Sequence, residues 1–177
     1  NCHIHGKLHK TEFELVEAGE DFAVCEYQSA EGYLEFPHEF KIRMEYRLGD
    51  DGFYQETRIE NLSDKNMPNF LGYHTTFNIP FAEGSHSGDI TVLCQVGDEI
   101  ERNMSVYLPT GNILPADEVT DKLNEGKFNP FERVLSRHYK IKEENRIEIF
   151  DNVRKIKVVY ENDEKFNFRL IYNGNAD

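Results

Sequence analysis

The sequence predicts an all-β fold of antiparallel strands, a sandwich or a barrel, on three observations. Residues 40–48, FKIRMEYRL, alternate Phe40, Ile42, Met44, Tyr46 and Leu48 with Lys41, Arg43, Glu45 and Arg47. That is the period-2 pattern of a strand with one wet face. The turn GDDG follows at 49–52 and FYQETRIENL resumes extended chain, so residues 40–62 read as a β-hairpin. Aromatic residues make up 12% of the chain with Trp absent, and no long 3.6-residue period competes with the strands. The 177 residues suffice for one domain with its own core, and no composition break divides them.

Taken in order, shorter strands are expected at 13–17 and 22–28, ahead of the hairpin, and at 89–95, 99–107 and 146–150 after it. Between them stands FLGYHTTFNIPF, residues 70–81, whose apolar and aromatic content reads as a buried strand carrying His74 at its centre. Residues 108–130 are polar and hold three prolines, Pro109, Pro115 and Pro130. They are expected to form a long surface excursion with one helical turn near 116–123. Near the end RKIKVVYE and FNFRLIY each place apolar residues on one face, with NDEK between them. This predicts a second hairpin.

Charge excludes some partners. Against 20 Lys and Arg stand 33 Asp and Glu, a net charge of −13. Such a chain repels phosphate backbones and anionic lipid, so neither nucleic acid nor membrane is expected as a partner, and a neutral small molecule fits best. Cys2, Cys25 and Cys94 follow no CxxC spacing, which predicts neither a disulfide framework nor a zinc site and fits a reducing, cytoplasmic setting. No apolar stretch approaches the roughly 18 residues of a spanning helix. The chain begins NCHIHGKLHK, without an initiator Met. It is expected to be a segment of a longer protein, incomplete at both ends.

Seven histidines offer the main chemistry. His3 and His5, two apart, share a face if the start is a strand, at roughly 7 Å separation. They read either as solvated imidazoles of a frayed terminus or as the beginning of a metal site. The first acidic residue after His5 is Glu12, too far for the usual His-x-His metal spacing, so no metal is expected. His74 reads either as a core histidine satisfied by backbone carbonyls or as a titratable group placed for proton transfer. His9, His38 and His86 stand among charged or small polar residues and are expected at the surface. His138, in LSRHYK, is open.

The segment NLSDKNMPNFLGYHTTFNIPF resembles the aldose 1-epimerase (galactose mutarotase-like) family, whose strand pair ends in N…MP…G(F/Y)HPYFN. Asn61, Met67, Pro68, Gly72, Tyr73, His74, Phe77 and Asn78 match. NCHIHG is similar to the family's N-x-L-H-G element, FPHEFKIRMEYRL to its YPFxFxLxxxYxL strand, and YLPTGNILP to its PTGxxxP loop. The resemblance implies a large antiparallel β-sandwich with a sugar in an open cleft on one sheet. It implies mutarotation without a cofactor: a proton goes to the ring oxygen, another leaves the anomeric hydroxyl, and the opened sugar recloses in either configuration. A free imidazole titrates at about pH 6.5, which suits the acid. His74 aligns with the family's histidine acid, His5 with its second histidine, which binds sugar hydroxyls, and Asn78 is expected to join the sugar contacts.

Two family elements have no counterpart here. The general base is a glutamate expected beyond Asp177, and the substrate-binding arginine would precede Asn1. Ser136 and Arg137 stand where a sugar-binding aspartate often sits. A non-catalytic carbohydrate-binding or sensing domain on the same fold is the alternative reading. The partner is a small free aldose, and the chain is expected as a monomer or weak homodimer. Thr75 and Thr76 replace the family's more usual Pro-Tyr or Ser-Tyr.

Overall fold

A computed structural model describes residue 6, residues 8–30 and residues 36–174. Among the described residues are eleven antiparallel strands and one short α-helix, and the chain falls into two compact units, residues 1–71 and 72–177.

The first unit is a meander of four strands in chain order, β1 (Glu14–Ala18), β2 (Phe22–Gln28), β3 (Phe40–Gly49) and β4 (Gly52–Asn61). The hairpin read from the alternation is present, with Gly49 opposite Gly52 and Phe40 opposite Asn61. Its buried face is shorter than the pattern implies. Phe40 and Ile42 are covered, whereas Leu48 at the tip is 59% exposed. The charged face is laced by ion pairs, with Arg43 and Lys41 both reaching Glu26 at 2.9 and 2.7 Å. These hydrogen bonds, that from Lys41 first, hold the Glu26 carboxyl below its ordinary pKa.

His38 departs from expectation: it is buried, and its Nδ1 lies 3.0 Å from Ser63 Oγ. Phe36 flanks its ring, centroids 5.2 Å apart, so a charged sequence neighbourhood concealed an aromatic niche.

The second unit holds two sheets. One has the order β10 (Ile156–Glu161), β9 (Arg146–Asp151), β5 (Ile90–Cys94). The other runs β11 (Phe168–Tyr172), β8 (Ser136–Ile141), β6 (Val96–Asn103), β7 (Leu108–Leu114). A common core takes Ile90, Val92 and Cys94 from β5, Ile149 from β9, and Val96 and Tyr139 from the other sheet. Val119 and Leu123 of helix α1 (Glu118–Asn124) and Phe128 close it. Each side chain buried this fully contributes about 1.5–3 kcal/mol over exposure.

Three expectations change here. Strands β10 and β11 do not form a hairpin: β10 pairs with β9 and β11 with β8, in different sheets. The NDEK connection is therefore a crossing between sheets, which similar periodicity on either side cannot reveal. Residues 108–114 are a strand, not loop. As β7 lies at a sheet edge, Pro109 can occupy it without breaking an internal ladder. A bulge between Ile100 and Arg102 of β6 accommodates Gly111 at φ 91°. Strand β8 lies outside every segment expected to be a strand.

The helical turn near 116–123 is α1. Asp117 caps it by accepting hydrogen bonds from the Val119 and Thr120 N–H groups, both at 3.1 Å.

Asparagine side chains staple the connections. Asn124 Oδ1 accepts from Val96 N at 2.7 Å while its Nδ2 donates to Val96 O at 3.0 Å, a side chain performing both halves of a ladder step. Asn152 Nδ2 donates to Asp89 O, Asn129 Nδ2 to Ser87 O, and Asn173 Nδ2 to Pro130 O and Arg133 O. Among the described residues no helix is long and apolar enough to cross a membrane.

Candidate functional site

The histidine that the sequence singles out does not sit in a buried strand. Residues 66–78 carry no ladder, and His74 is exposed. Tyr73, Phe77, Ile79 and Phe81 are partly covered, whereas His74, Thr75, Thr76 and Asn78 are exposed, so coverage alternates only from Phe77 onward. Phe77, Ile79 and Phe81 pack against the second unit's core. The segment's apolar residues, read as a strand's buried content, are instead its anchors.

Two aromatic contacts fix the chain on either side of His74. The Tyr73 ring lies 5.4 Å from Phe166 at 44°, and the Phe77 ring meets Tyr160 edge-on at 6.0 Å. Such pairs each add about 0.5–1.5 kcal/mol beyond area burial. Downstream, Ser85 Oγ donates to Asp151 Oδ2, and Asp151 Oδ1 accepts from the N–H groups of Val153 and Arg154. These bonds, Ser85's foremost, hold the Asp151 carboxyl below its ordinary pKa and tie the loop after His74 to the β9–β10 turn.

Behind Tyr160 lies a buried cation. Arg169 is 7% exposed, and its guanidinium donates to Asn145 Oδ1 and to Asn162 Oδ1. It stands 5.9 Å from the Tyr160 ring and 3.8 Å from Cys94 Sγ. Burial pushes the Cys94 thiol up against the opposing pull of Arg169, which keeps the sulfur neutral. Contacts thus run from Arg169 through Tyr160 to Phe77, three residues from His74. Above Asn145 and Asn162 opens a cleft of about 630 Å³, edged by Glu143, Glu144, Glu161 and Asp163 and by the Phe166 ring that supports Tyr73. Sequence reading missed this support because Arg169 and Asn145 lie far from His74 in the chain.

Arg137 and Ser136, at the position matched to an aspartate, are otherwise engaged. Arg137 bridges Glu99 at 3.1 Å and the helix-capping Asp117 at 2.9 Å. Burial raises the Glu99 pKa against the pull of Arg137. Asp117 goes the other way: burial alone would raise it, but the Thr120 N–H and Arg137 outweigh that and lower it. Ser136 Oγ accepts from Arg102 at 3.0 Å.

His74 and Asn78 therefore share one anchored, exposed segment. His3 and His5 lie outside the described residues. His9 and His86 are exposed, as read. Among the described residues no group of three or more His, Cys, Asp or Glu side chains is arranged to hold a metal ion.

The layered antiparallel sheets are those of the galactose mutarotase-like fold. A galactose mutarotase-like protein from Clostridium acetobutylicum superposes with a TM-score of 0.86 at 26% identity, over 96% of this chain and 54% of that one. A galactose mutarotase related enzyme from Lactobacillus acidophilus shares the fold at TM-score 0.58 and 17% identity, over 88% of this chain and 52% of its own. The aldose 1-epimerase family profile matches residues 1–177, and the chain belongs to that family. Protein LacX of Lactococcus lactis subsp. lactis, in its plasmid and chromosomal forms, is 32% identical over 90 residues, which are 50% of this chain and 30% of LacX. The chain spans about half the length of these structural relatives.

Proposed function

We propose that this chain forms part of an aldose 1-epimerase that interconverts the α and β anomers of a free sugar, with His74 as the general acid. The observation that carries this reading is an exposed imidazole held on an extended segment by Tyr73 on one side and Phe77 on the other, in a chain of this family. An acid that must meet a sugar from solution needs exposure and a fixed backbone together.

In this mechanism His74 gives its proton to the ring oxygen as the bond from that oxygen to the anomeric carbon breaks. The anomeric hydroxyl loses its proton to a base, leaving the open-chain aldehyde. Rotation about the bond to the carbonyl carbon presents either face, and the reverse proton transfers close the ring. Asn78, exposed on the same segment, and His5 hold sugar hydroxyls. The anomeric proton's acceptor is assigned to none of the described residues.

Polarimetry of freshly dissolved α-galactose or α-glucose tests the reading. His74→Ala should slow interconversion about a hundredfold or more, the range for loss of a general acid. A mutant as fast as the parent would remove His74 from this role.

A further inference from the structure

Both aromatic contacts that hold the chain around His74 trace back to one buried cation. Tyr73 rests on the Phe166 ring and Phe77 on the Tyr160 ring. Tyr160 stands on β10, whereas Phe166 belongs to the connection that leaves β10 for β11 in the other sheet. Strand pairing therefore does not set one ring relative to the other.

Arg169 does. Its Nη2 donates to Asn145 Oδ1 and, at 3.1 Å, to Asn162 Oδ1. With each amide oxygen turned to the guanidinium, each amide nitrogen is turned away from it. Asn145 Nδ2 donates to Phe166 O at 2.7 Å and to Asp163 O at 3.0 Å, which pins the turn that carries the Phe166 ring. Asn162 Nδ2 donates to the Tyr160 hydroxyl at 3.2 Å, and the guanidinium itself lies 5.9 Å from the Tyr160 ring. An amide can bind a neutral neighbour either way round, but a group that only donates permits one orientation.

Packing alone does not call for an arginine at this place. Arg169 is buried on β11 opposite Tyr139, and among the described residues its partners are neutral: two amide oxygens, a thiol and a ring. Burying a cation without a carboxylate is costly, and an apolar side chain of similar volume ordinarily serves a core at least as well. What an apolar side chain cannot do is orient two amides at once.

We propose that Arg169 is a positioning residue for His74, acting through Asn145 and Phe166 on Tyr73 and through Asn162 and Tyr160 on Phe77. This rests on the reading of His74 as the acid and adds the device that fixes where that acid stands.

Two variants test it by 15N relaxation. Arg169→Met keeps the volume and removes the donors. Asn145→Asp keeps an acceptor for Arg169 but cannot donate to Phe166 O, so it cuts the Tyr73 arm alone. In the parent the amides of residues 73–78 should show order parameters of about 0.85, as in β9. They should fall to about 0.6 throughout the segment in Arg169→Met, and at Tyr73 and His74 only in Asn145→Asp, while β5 and β9 keep parental values. Polarimetry adds a second readout: both variants should lower kcat about tenfold to a hundredfold and leave KM and the pH profile unchanged, as for an acid misplaced in an unaltered environment. Parental order in the segment of Asn145→Asp overturns the proposal, and that variant decides alone where Arg169→Met fails to fold. So does a loss spread evenly over β5 and β9, which would make Arg169 a core residue only, and so does parental kcat in a variant whose segment has loosened. Relaxation needs no turnover: His74→Ala at parental speed removes the acid assignment, whereas the hold of Arg169 on residues 73–78 is read independently.

Discussion

His138 shows how a single side chain can carry a pH response. Burial first, then the charge of Arg102, depresses its pKa below the ordinary imidazole value. The folded state thus binds protons less readily than the unfolded chain. The associated stability is present above about pH 6.5 and is lost as pH falls through the depressed value. His138→Gln should flatten the fall in melting temperature between pH 7.5 and 5.5, and an unchanged fall would assign it to other groups. The histidines also mark where sequence reading succeeds and fails. The flanks of His74 single it out, but not its exposure, because aromatic neighbours signal packing without saying which residues pack. His38 departs from expectation in the opposite sense, since nothing local reveals Ser63, 25 positions away, as its partner.

At the scale of elements, helix α1 depends on one carboxylate. Asp117 caps two backbone N–H groups and receives Arg137. Asp117→Ala should cost about 1–2 kcal/mol in urea unfolding, the upper part of the range for lost caps, since Arg137 keeps Glu99 as a partner. Leu123, fully buried on the helix, is a core residue, and Leu123→Ala should cost about 2–5 kcal/mol by the same measurement. The strands most legible in sequence, β2, β3, β4 and β5, are those with alternation or a continuous apolar run bounded by turns. β7 was hidden because Pro109 and Gly111 read as loop, and they are compatible with a strand only at an edge. β8 was hidden because Arg137, facing inward, breaks the apolar alternation; its charge is satisfied by Glu99 and Asp117, partners distant in sequence.

Across the whole molecule burial is uneven. Among the described residues the deeply buried apolar ones of the first unit are Val24, Phe40 and Ile42, whereas the second gathers ten into one cluster. Native-state hydrogen exchange should find its slowest amides in β5, β8 and β9 and fast exchange in β1 and β7, because local opening is cheapest where little apolar surface is covered. Equal protection in both units would contradict this. The all-β class was legible from composition and alternation, but the assignment of strands to sheets was not, since pairing is fixed by crossings that leave no local mark. The asparagine staples have a consequence for the molecule in salt. The connections they close are held by neutral amides, which counterions do not weaken, while a net charge of −13 works against compaction. Raising sodium chloride from low concentration to about 0.15 M shortens the screening length to about 8 Å and should relieve more repulsion than the surface ion pairs lose. The melting temperature should therefore climb with ionic strength, so that this acidic protein is most robust in brine and weakest in dilute buffer.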